Sequence, residues 1–123
     1  MSKHVLIADD EPNIVISLEF LMKREGHQVL VARDGAQALA MIRAERPDLV
    51  LLDVMMPGLS GFEVCQAVRG DEALAGVKIL MLSAKGRDTD IAKGQALGAD
   101  AYMTKPFSTK ELAEKVRELL GAA

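Results

Sequence analysis

"HVLIADDEPN" occupies residues 4–13. Val5, Leu6, Ile7 and Ala8 are apolar and run straight into Asp9, Asp10 and Glu11, with Pro12 close behind. A short apolar run of this kind reads as a buried strand. Pro12 suits the first turn of a helix, where its missing N–H costs nothing. The stretch therefore predicts a strand, an acidic turn and a helix in quick succession. Three adjacent carboxylates repel one another, so at the end of a buried strand either their pKa values rise or a cation binds.

The same alternation recurs down the chain. Short apolar, β-branched runs fall at residues 29–31, 49–52 and 77–82. Between them, helical spacing appears. Ile14, Leu18 and Leu21 stand at i, i+4, i+7, and Leu112, Val116, Leu119 and Leu120 at i, i+4, i+7, i+8. Ser60 with Glu63 and Ser108 with Glu111 have the form of a capping box at a helix start. The pattern predicts strands near 4–8, 28–32, 48–53, 77–82 and 100–104. It predicts helices near 12–24, 35–44, 61–69, 88–97 and 109–120. Strict alternation of this kind gives an α/β fold, a parallel sheet with helices on both faces. Residues 28–32 look less buried and suit a sheet edge. The helix near 88–97 carries only Ile91 and Leu97 as large apolar residues, so it should be the least firmly held.

Composition narrows the function. The 123 residues fit one domain, 1–123, and half of them are hydrophobic. Net charge is −3, which argues against a general nucleic-acid or anionic-membrane binder. Cys65 is the only cysteine, so no internal disulfide exists. The N-terminal apolar stretch is too short for a signal peptide, and no run approaches the ~20 apolar residues of a membrane helix. A soluble cytoplasmic domain is the expectation.

In an open α/β sheet, ligands bind beyond the carboxyl ends of the strands. Asp9 and Asp10 follow the first strand, Asp53 ends the third, Ser83 ends the fourth, and Thr104, Lys105 and Pro106 follow the fifth. Three carboxylates, a hydroxyl and an ammonium thus converge on one edge. An oxygen-rich acidic cluster with room for water suits Mg²⁺. A lysine and a hydroxyl opposite it suit a phosphoryl group. A carboxylate so placed is able to act as a nucleophile and form an acyl phosphate.

Asp9-Asp10, the "LLDVMMPGLSGFE" segment around Asp53, "MLSAK" around Ser83 and "TKPFSTKEL" around Lys105 together resemble the receiver domain of two-component response regulators. The resemblance covers residues 3–121, with four motifs in order, each at a strand end. It implies a flavodoxin-like three-layer sandwich with five parallel strands in the order 2-1-3-4-5 and five helices. It implies that Asp53 is the phosphoacceptor, taking a phosphoryl group from a sensor histidine kinase or a histidine phosphotransfer protein. Asp10, Asp53 and the backbone carbonyl of Met55 would hold Mg²⁺, with Asp9 reaching it mainly through water. Ser83 would be the switch hydroxyl, Lys105 the phosphoryl partner on a cis Lys105–Pro106 bond, and Tyr102 the aromatic switch residue. Such a domain is a switch acting on a downstream protein, with no direct nucleic-acid or membrane contact. It is no enzyme beyond its own phosphorylation and dephosphorylation.

Two site-edge residues, Met55 and Lys85, are expected to slow loss of the phosphoryl group by limiting water access. The segment around Asp100 and Tyr102 also resembles receivers that homodimerise on phosphorylation through ion pairs. Lys93, Asp100, Glu111, Lys115 and Arg117 match charged positions there, but Ala101 stands where a second aspartate is often found. The rival readings are an aspartyl-phosphate phosphatase of the haloacid dehalogenase type and a flavodoxin-like FMN carrier. The first would want D-x-D after the first strand and a cap domain. The second would want a phosphate loop free of acids.

Overall fold

A computed structural model describes residues 3–84 and 88–121. The strands are β1 (His4–Ala8), β2 (Gln28–Ala32), β3 (Leu49–Asp53), β4 (Lys78–Ala84) and β5 (Ala101–Lys105). The helices are α1 (Pro12–Arg24), α2 (Gly35–Glu45), α3 (Gly61–Arg69), α4 (Asp88–Ala96) and α5 (Thr109–Leu119). The expected elements all form. A short 3-10 turn at Glu72–Leu74 was not foreseen; Asp71 starts it by accepting a hydrogen bond from the Ala73 amide.

All neighbouring strands are parallel, in the order β2-β1-β3-β4-β5. β2 is an edge, as its composition implied. The side chains of each strand alternate between two cores. Leu6, Val50, Leu52, Ile79 and Met81 pack with α2 and α3 on one face. Val5, Ile7, Leu49, Leu51, Leu80 and Leu82 pack with α1 and α5 on the other. Three layers result, and each fully buried leucine contributes about 1.5–3 kcal/mol to holding them together.

Local signals act where expected. Pro12 opens α1. Ser60 and Glu63 form the complete reciprocal capping box of α3, and the Ser108 hydroxyl accepts from the Glu111 amide at the start of α5. Among its described side chains, α4 buries only Gly94, in keeping with the weak apolar content of that helix. None of the helices is long and apolar enough to cross a membrane, among the described residues. After β1 the chain moves outward to β2, then crosses back to β3 on the other side. The strand order therefore reverses beside β1, and the site lies beyond the carboxyl ends there.

Candidate functional site

Asp53 is the last residue of β3 and is almost fully buried. The chain folds back directly over it. The Gly61 amide donates to the Val54 carbonyl at 2.9 Å. A Cβ at Gly61 would collide with the Asp53 carbonyl oxygen, so only glycine permits this approach. The Met55 amide donates to Asp53 Oδ1 at 3.3 Å and fixes the carboxylate from the loop side.

Asp9 lies one residue beyond β1 and is fully buried. Its Oδ1 accepts from the Glu11 amide at 2.9 Å, and its Oδ2 accepts from Lys105 Nζ at 2.9 Å. Lys105 closes β5, and its bond to Pro106 is cis, as the resemblance implied. The Lys105 ammonium also lies 3.4 Å from Asp53 Oδ1. Asp10 is exposed at the rim. The convergence read from the strand ends is therefore present: carboxylates from β1 and β3 meet the ammonium from β5.

Burial, and then the charge of Asp9, push the Asp53 carboxyl up to about 6, against the pull of Lys105 and the Met55 amide. Burial alone would lower the Lys105 ammonium. Its hydrogen bond to Asp9 and the charges of Asp53, Asp9 and Glu11 outweigh that and hold it above the ordinary lysine value. The pocket is thus short of positive charge even with Lys105 in place. One carboxylate oxygen from each of Asp9, Asp10 and Asp53 lies within 4.8 Å of the others. An all-oxygen donor set with one exposed member open to water fits a hard divalent cation such as Mg²⁺.

Sequence reasoning missed one participant. From the sequence, Glu11 with Pro12 reads more as the start of a helix than as part of the chemistry. It does occupy the N-cap of α1, but its side chain makes no capping bond and instead places Oε1 3.4 Å from Lys105 Nζ. The signal lay in its identity, because glutamate is a poor N-cap. The other expected residues are placed as follows. Ser83 is buried near the end of β4, in register with Thr104 of β5. Tyr102 is half-buried, its ring against Gly94 of α4 and the core on that face. Met55 is 59% exposed, two residues beyond Asp53. Lys85 lies outside the described residues. Cys65 is buried in the core.

The model of the response regulator receiver domain matches residues 5–117. The chain belongs to the response regulator receiver family. The alkaline phosphatase synthesis transcriptional regulatory protein PhoP of Bacillus subtilis is 45% identical over 98% of the chain and 49% of its own length. The DNA-binding response regulator MtrA of Mycolicibacterium smegmatis is 44% identical over 98% of the chain and 51% of its own length. The receiver thus spans about half the length of these relatives. A response regulator from Chloroflexus aurantiacus superposes with a TM-score of 0.94 at 33% identity, covering 98% of this chain and 99% of that one. The receiver domain of the sensor histidine kinase PA1611 from Pseudomonas aeruginosa superposes with a TM-score of 0.90 at 26% identity, covering 99% of this chain and 100% of that one. That structure holds magnesium in its active site cleft. The haloacid dehalogenase reading finds no support in these matches.

Proposed function

We propose that residues 1–123 act as one phosphorylation-dependent switch with Asp53 as its phosphoacceptor. The observation that carries this reading is the buried Asp53 carboxylate, 3.4 Å from the Lys105 ammonium on the edge that also bears Asp9 and Asp10. The donor would be a phosphohistidine of a sensor kinase or a phosphotransfer protein. An Asp53 oxygen attacks phosphorus, the P–N bond to the imidazole breaks, and the imidazole leaves with a proton from solvent. The Lys105 ammonium then pairs with the phosphoryl oxygens, and the Ser83 hydroxyl donates a hydrogen bond to them.

Asp10, Asp53 and the Met55 carbonyl would hold Mg²⁺, which when bound neutralises charge on the phosphoryl oxygens. The Asp9 oxygens are already engaged by Lys105 and the Glu11 amide, which favours its acting through water. Tyr102 would respond to movement of Ser83 and alter the surface made by α4, β5 and α5. A downstream protein would read that surface. Met55 and Lys85 would set the lifetime of the acyl phosphate.

Incubation with acetyl phosphate and Mg²⁺, read by intact mass, tests the assignment. One added phosphoryl group is expected, absent in Asp53→Ala. An adduct that survives this substitution would overturn it.

A further inference from the structure

We infer that Glu11 is a positioning residue: it draws the Lys105 ammonium towards the solvent side of the site and competes with the phosphoryl group for it. This rests on the phosphoacceptor reading above and adds a residue that sets how readily the phosphorylated state forms.

The Lys105 ammonium meets three carboxylates. Asp9 Oδ2 lies 2.9 Å away, and Glu11 Oε1 and Asp53 Oδ1 lie 3.4 Å away. The Asp9 and Asp53 side chains are buried, at 0% and 6% exposure, whereas that of Glu11 is 60% exposed. Asp9 is thus the anchor. The other two pull on the ammonium from equal distances, Asp53 from inside the site and Glu11 from its open side. An ammonium has three N–H donors, so a phosphoryl group on Asp53 must draw on one that a carboxylate already engages. The Glu11 amide donates to Asp9 Oδ1 at 2.9 Å, which ties its backbone to the anchor and keeps its side chain within reach of Lys105.

A local defect in α1 points the same way. Asp34, Ser60 and Ser108 each cap their helix by accepting a hydrogen bond from the amide three residues on. Glu11 holds the same position in α1, with extended backbone, and makes no side-chain capping bond. Aspartate or serine there would serve the helix better. A break in a local rule at one helix start is accounted for when the side chain has another task, and here that side chain reaches Lys105. The contact is also weak enough to yield. Exposed ion pairs contribute little, so a doubly charged phosphoryl group on Asp53 outcompetes Glu11 for the ammonium.

The test compares Glu11→Gln and Glu11→Asp with the parent protein, using beryllofluoride as the stand-in for the phosphoryl group. Calorimetry gives the Mg²⁺ affinity, and ¹⁹F NMR at saturating Mg²⁺ gives the beryllofluoride affinity. Glu11→Gln should tighten beryllofluoride by about two- to fivefold, because the ammonium is released inward. It should weaken Mg²⁺, because a carboxylate is lost and the ammonium moves towards Asp53. A merely structural role would lower both affinities together. Glu11→Asp keeps the charge but is shorter and turns to cap α1. It should tighten beryllofluoride nearly as much and raise the melting temperature by about 3 °C. Beryllofluoride affinity unchanged or lowered in Glu11→Gln would overturn the proposal, as would Glu11→Asp binding like the parent, which would leave only a field effect. If acetyl phosphate gives no Asp53 adduct, the phosphoacceptor reading fails. The ¹⁵N resonance of the Lys105 ammonium in the unphosphorylated protein then decides this one: it should shift in both variants, and an unmoved signal would overturn the hold of Glu11 on Lys105.

Discussion

β3 and β5 each deliver one charged side chain to the same site, yet they are held very differently. Every residue of β3 is buried, with helices on both faces and a strand on either side. Every residue of β5 is only half-buried, at an open edge. The carboxylate that would take the phosphoryl group is thus fixed in the best-packed strand. The ammonium and the aromatic ring that would respond to it stand on a half-buried edge strand. A switch needs this division, because a nucleophile must be held still while its readout moves.

The largest expected effect separates the two strands directly. Leu51→Ala in β3 should cost about 3 kcal/mol, while Met103→Ala in β5 should cost about 1 kcal/mol. Urea titrations of both variants measure this, and equal losses would break the comparison. The second effect concerns the end of β3. With its pKa raised, Asp53 binds protons in the folded state that it releases on unfolding. Its burial therefore costs stability as pH rises from the ordinary carboxylate range through about 6. Asp53→Asn should stabilise by an amount on the order of 2 kcal/mol near neutral pH, with Mg²⁺ chelated, and by almost nothing near pH 4. Thermal melts across pH read the gain, and a gain that grows towards acid would contradict it.

The smallest effect sharpens the β5 side. A Cβ at Gly94 would stand 3.1 Å from Met81 Sδ and 3.3 Å from two Tyr102 ring carbons. Overpacking opposes the better helix propensity of alanine. Gly94→Ala should therefore change stability by less than about 1 kcal/mol while displacing the Tyr102 ring, seen as shifted ring resonances in NMR spectra. A loss of several kcal/mol would mean that this edge is as rigid as β3.

Most of the fold was legible because its signals are local. Apolar runs marked the central strands, and Pro12, Ser60 and Ser108 marked helix starts. What stayed hidden depends on distant pairing. β4 runs to Ala84, past the end of its apolar stretch, because Ser83 and Ala84 pair with Thr104 and Lys105. The Glu25–Arg117 pair joins residues 92 apart, and Arg69 reaches 31 residues to Asp100. Neither has a signature in its own neighbourhood. The site was legible as a set of strand ends. Which carboxylate Lys105 prefers was not, because Asp9, Glu11 and Asp53 compete for one ammonium and only their geometry decides.

Tyr102 has one more consequence. The chain contains no tryptophan and no other tyrosine. Under ultraviolet excitation its emission therefore comes essentially from one ring, which packs against Gly94 of α4. The protein carries an intrinsic optical reporter at the position where the switch would be read, and its state can be followed without attaching a label.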